Sequence, residues 1–151
     1  MDWATLLVFL AATAVAAATG ALFSPGEWYA GLDKAPWTPP SWAFGVVWTA
    51  LYVAMAYAAA RIAGLPGAGL ALALFALQIA LNTIWTPVFF GAHRTGLAMV
   101  IIVCLWLVVA AMLVAFWRLD RFAGVLLMPY VAWLTLAASL NFWIWRFNPT
   151  I

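Results

Sequence analysis

The sequence predicts an all-α membrane protein, a bundle of five transmembrane helices with a long first loop acting as a lid. Three observations predict it. Of 151 residues, 70% are hydrophobic and 7% are charged, whereas soluble domains run near half apolar and about a quarter charged. A chain this short keeps much of its surface exposed when folded, so this much apolar surface needs lipid as its solvent. The apolar residues also fall into five runs of roughly 20, each long enough to cross a bilayer. The length suits a single domain over residues 1–151.

The first run covers 3–23. A cleavable signal peptide would carry a basic leader and a shorter apolar stretch. This leader carries Asp2, and no Lys or Arg precedes Lys34, so a retained helix is expected. Residues 24–41, SPGEWYAGLDKAPWTPPS, have loop chemistry. Pro25, Pro36, Pro39 and Pro40 each remove a backbone donor and fix φ, so no regular helix runs through. Ser41 then reads as the cap of the next helix.

The second helix is expected over 42–62, ending at Arg61 and Gly64, and the third over 70–90, with Pro87 near its end. His93 and Arg94 mark a turn, and the fourth helix follows over 95–117. Arg118, Asp120 and Arg121 mark another, and the fifth spans 122–145 with Pro129 inside it. Short links make consecutive helices antiparallel neighbours. Only the first link is long, and long ordered loops in compact chains are usually functional. Lys and Arg give no orientation: Arg61, Arg118 and Arg121 fall on one side, Lys34, Arg94 and Arg146 on the other.

Composition excludes several functions. Six Lys+Arg against four Asp+Glu give no clustered basic face for nucleic acid. Cys104 stands alone in an apolar run and reads as a small buried hydrophobe. The helices hold no pair of carboxylates and no lysine, so no catalytic set is expected. His93, the lone histidine, reads as a solvated turn residue ahead of the alternative, a ligand for haem iron from the membrane surface, because no metal-ligand cluster accompanies it. A proton-driven pump would want an intramembrane acid or histidine. No metal and no required cofactor are expected.

Polar side chains at membrane depth either glue helices or line a site. Gln78, Asn82 and Trp85 recur at i, i+4 and i+7 and share one helix face, continued by Phe89. Trp48, Tyr52 and Met55 do the same in the second helix, and Trp133, Ala137 and Asn141 in the fifth, with Leu140 adjacent. Seven of the 11 tryptophans lie near helix ends or in the loop, where the interfacial belt accounts for them. Trp48, Trp85, Trp106 and Trp133 lie deeper, and a buried indole N–H needs a partner. The two readings are interhelical packing with amide glue, and a pocket with aromatic walls and one or two amides for a flat, mostly apolar ligand.

The run WTPPSWAFGVVWTALY (37–52) resembles the translocator protein family, also called tryptophan-rich sensory proteins or peripheral-type benzodiazepine receptors. WYAGLDK (28–34), LNTIWTPVFFG (81–91), and PYVAW followed by LNF (129–142) resemble it too, in the same order and spacing. The resemblance implies a five-helix homodimer in a mitochondrial or bacterial outer membrane, here a bacterial one. It implies binding of porphyrins such as protoporphyrin IX, haem, sterols and benzodiazepine-like drugs. Trp48 and Trp133 match pocket-wall tryptophans, Asn82 an amide able to bond a ligand carbonyl, Ala137 a size-sensitive small position, and Trp28 a first-loop tryptophan. The family's sterol pattern keeps Leu140 and Arg146, but Phe142 replaces its central tyrosine. A looser sterol pattern also fits Val53, Tyr57 and Arg61.

The expected ligand site is therefore Trp28, Trp48, Tyr52, Gln78, Asn82, Trp85, Trp133, Ala137, Leu140 and Asn141. The leading function is a membrane binding protein for tetrapyrroles and similar lipophiles, with a transport or stress-sensing role. A second is light- and oxygen-dependent porphyrin breakdown through Trp28, Trp48 and Trp133. A third is a ligand-free regulatory or structural membrane partner, built on the small-residue stretches 11–20 and 68–76.

Overall fold

A computed structural model describes residues 1–149. The final two residues of the expected domain, 150 and 151, lie outside the described residues. Among the described residues there are five long helices: α1 (Trp3–Leu22), α3 (Ser41–Ile62), α4 (Gly69–Thr86), α5 (Thr95–Leu119) and α6 (Arg121–Phe147). All five are long and apolar enough to cross a membrane, α4 together with the turn that continues it to Gly91. A short helix, α2 (Gly26–Ala30), lies in the first connection. That stretch is therefore not all loop, because its prolines flank a short window in which one helical turn fits.

Local chemistry sets the helix ends. Asp2 caps α1, accepting the Thr5 N–H at 2.7 Å. Asp120 caps α6, accepting from the N–H groups of Phe122 at 2.8 Å and Ala123 at 3.3 Å. Its other oxygen meets Arg61 Nη2 at 2.7 Å, which ties the end of α3 to the start of α6. Ser41 is not the cap of α3. Pro40 takes that place in an extended conformation, its carbonyl accepting the Ala43 N–H at 2.9 Å. Proline holds this geometry unaided, and Ser41 becomes the first helical residue.

Pro87 cannot donate to the α4 ladder. The chain widens there into a π-turn over Pro87–Gly91, and the Ala92 N–H reaches back five residues to the Pro87 carbonyl at 2.8 Å. Such turns are frequent at functional sites.

The long helices close a ring. α1 packs on α3 and α4, α3 on α6, α6 on α5, and α5 on α4. At the end where α3 and α5 finish, the ring is filled by Met55, Ile62, Phe75, Met112, Phe116 and Leu127. Alanines 56, 58, 59 and 60 of α3 are buried and let neighbours approach closely. Cys104 corrects the sequence reading: it is exposed on the outer face of α5 rather than buried.

Candidate functional site

At the opposite end the ring is hollow. A cavity of about 350 Å³ lies among all five long helices, beside residues 23–40. That is near the lower end of the roughly 300–1,000 Å³ typical of ligand pockets. Its walls are mostly apolar, and Phe44, Trp48, Trp85, Phe89 and Phe90 supply the aromatic faces.

The polar groups on its wall are held by a buried network. Tyr52 Oη donates to Asn82 Oδ1 at 3.1 Å. Asn82 Nδ2 donates to Tyr130 Oη at 2.8 Å, and Tyr130 Oη donates to Gln78 Oε1 at 2.8 Å. Gln78 Nε2 ends the chain on Met55 Sδ at 3.4 Å. Asn82 has two amide hydrogens and one is spent, so a single N–H remains at the cavity wall. Along the same wall, toward residues 23–40, Trp85 Nε1 donates to Asn141 Oδ1 at 3.0 Å, and Asn141 Nδ2 donates to the Thr95 carbonyl at 2.9 Å. With its N–H occupied, Trp85 offers the cavity a ring.

Seven of the ten expected site residues line this cavity: Trp48, Tyr52, Asn82, Trp85, Ala137, Leu140 and Asn141. Three do not. Gln78 is fully buried beneath it and holds Tyr130. Trp133 lies to the side, with its ring edge-on to Phe44 and its Nε1 buried without a partner. Trp28 sits on α2, its ring stacked 4.0 Å from that of His93. His93, expected as a merely solvated turn residue, is exposed but adopts a left-handed φ of 56°. Of the four deep tryptophans, Trp106 also leaves the cavity and donates to Thr135 Oγ1 at 2.9 Å.

The sequence missed much of the wall. Ala16, Ala17, Gly20 and Phe23 come from α1 and its end, and Ile102 and Leu105 from α5. Tyr130, the centre of the network, was missed despite a legible signal: it stands seven residues before Ala137 on the same α6 face. The C-terminal sterol pattern does not form one surface. Leu140 faces the cavity, whereas Phe142 and Arg146 are exposed outside.

Fold and site together define a class: a polytopic helical membrane protein whose bundle encloses an aromatic cavity. Sequence comparison makes this specific. Residues 4–146 match the TspO/MBR family, and the chain belongs to that family. It is 52% identical to the tryptophan-rich sensory protein of Cereibacter sphaeroides, over 98% of this chain and 94% of that one. It is 49% identical to protein CrtK of Rhodobacter capsulatus, over 99% and 96%. Identity to the human translocator protein is 38%, over 97% and 91%.

Proposed function

We propose that the bundle binds flat, mostly apolar ligands in this cavity, tetrapyrroles such as protoporphyrin IX or haem foremost. Benzodiazepine-like drugs and sterols share the required shape. The observation that carries the proposal is the cavity itself, aromatic-walled and holding the oriented amides of Asn82 and Asn141. A macrocycle gains by stacking on Trp48 and Trp85, and the free Asn82 N–H orients a ligand acceptor. Among the described residues no carboxylate, lysine or histidine lines the cavity, which supports binding over acid–base chemistry. The names of the relatives speak of sensing and translocation for those proteins, and capture of a ligand is a step common to both. Residence in an outer membrane belongs to the same proposal, and fractionation tests it.

Residues 23–40 act as a lid in this reading. Asn148 Oδ1 accepts the Asp33 N–H at 2.8 Å, and Asn148 Nδ2 donates to the Asp33 carbonyl at 2.9 Å. Trp37 Nε1 donates to Ser139 Oγ at 3.0 Å. Both contacts pin the connection to α6.

Titration of the detergent-solubilised protein with protoporphyrin IX, followed by tryptophan quenching, is the test. Saturable quenching is expected, with affinity reduced about five- to thirtyfold in Asn82→Ala through loss of one hydrogen bond. Absent quenching, or an unchanged affinity in both Asn82→Ala and Trp48→Phe, rejects the site. A bound porphyrin spectrum that persists under light separates binding from breakdown.

A further inference from the structure

We propose that ligands enter this cavity sideways from the bilayer, through a gap between α1 and α3, rather than past residues 23–40; the inference rests on the binding reading above. The distribution of exposure around the cavity carries it. Of the exposed wall residues, Ala17 and Gly20 lie on α1 and Gly45 and Thr49 on α3; the other two, Phe23 and Pro25, begin the 23–40 connection, where the Phe23 ring closes against Gly91. The wall residues from α4, α5 and α6 are all buried or half-buried. The cavity therefore reaches the outside of the ring along one seam.

The glycines in that seam do not serve close packing. Glycine at a helix contact usually lets two backbones touch. Here a Cβ added to Gly20 or to Gly45 would meet no atom within 4 Å. The seam is a hole at this level. Gly45 and Thr49 follow the start of α3 by one and two turns, about 6 and 12 Å, which puts the opening inside one leaflet. Thr49 Oγ1 donates to the Gly45 carbonyl at 2.7 Å, so the threonine rim shows lipid no unpaired hydroxyl donor. α1 buries only Thr13 and Ala16 and is the span least held by its neighbours.

The alternative mouth is shut. Asn148 and Ser139 hold residues 33 and 37, Tyr29 packs edge-on against Phe90 with ring centres 5.4 Å apart, and Trp28 is stacked on His93. A ligand with a large apolar surface concentrates in the membrane. A route through the seam spares it the return to water.

The experiment follows protoporphyrin IX entering and leaving the full chain in phosphatidylcholine vesicles by stopped-flow tryptophan quenching. Three proteins are compared: the parent, the double variant Gly20→Leu/Gly45→Leu, and Asn148→Ala. The leucines are expected to slow association and dissociation by about tenfold or more, as for binding gated by a conformational change. Asn148→Ala is expected to leave both rates unchanged. Should the leucines intrude on the cavity, the dissociation rate still decides: a filled site speeds release, whereas a blocked route slows it. Unchanged or faster release in the double variant, or faster entry and release in Asn148→Ala, overturns the seam route. No quenching in the parent overturns the binding reading itself, and the route with it.

Discussion

Asn82 spends its carbonyl on Tyr52 and one amide hydrogen on Tyr130, and Tyr130 in turn leans on Gln78. Gln78 thus acts on the cavity through two intermediaries, although it does not touch it. Interhelical hydrogen bonds in membranes are worth about 0.6 kcal/mol on average and up to about 1.7. Gln78→Leu is expected to lower unfolding free energy in mixed micelles by about 1 kcal/mol, and Gln78→Leu/Tyr130→Phe to lower it further, since Tyr130 Oη also accepts the bond from Asn82 Nδ2 and its loss orphans that buried donor. Identical losses in the single and double variants would show that this second bond carries no energy. Spacing alone exposed Gln78, Asn82 and Trp85 as one stripe. It could not say which of them faces the hollow and which the packed half, because both share the same helix face.

Asp120 makes a second residue-scale prediction, outside the membrane-spanning segments. Partial burial pushes its carboxyl up, but the Arg61 guanidinium and the α6 N-terminal amides outweigh this and hold it below its ordinary 3.8. A carboxylate lowered in the fold stabilises above its unfolded value and loses that contribution as pH falls through the folded one. Thermal stability of the parent should therefore be flat from pH 7 to 5 on this account and drop below about pH 4. Asp120→Asn should show a smaller acid step, the remainder coming from Asp2, whose carboxyl the Thr5 hydrogen bonds also hold low, and an identical step in both proteins would remove Asp120 as its source.

Among the elements, α5 and α6 meet most intimately at their joint. A Cβ on Gly124 would lie 2.8 Å from Trp117 Cα and Cβ, and backbone there has no easy way to yield. Gly124→Ala is expected to destabilise by about 1–3 kcal/mol through overpacking, whereas Gly20→Ala, with open space around it, should be neutral or gain up to about 1 kcal/mol of helix propensity. Melting curves of the two variants in one detergent check the contrast. The long helices were legible because a span must be continuous and apolar. Their ends were less so. Pro87 signalled a break, but the π-turn it produces depends on where Ala92 and Arg94 find carbonyls. The α2 turn depends on packing of Trp28 and Tyr29 against the α4 end, which no local pattern records.

At the scale of the whole molecule, the fold is a ring packed solid at one end and hollow at the other. The sequence showed three striped helices, so it foresaw walls from α3, α4 and α6. It could not show that α1 and α5 complete the enclosure, because Ala16, Gly20 and Leu105 look like any lipid-facing or packing residues until the ring closes. The central claim is that the hollow end receives a flat lipophile. Ala137, a small wall residue on α6, offers the most direct test. Equilibrium titration of Ala137→Phe with protoporphyrin IX should show affinity reduced about tenfold or more, since a wall that cannot yield must give up ligand volume, while Trp106→Phe, outside the cavity, binds as the parent does. Undiminished binding by Ala137→Phe would contradict the account.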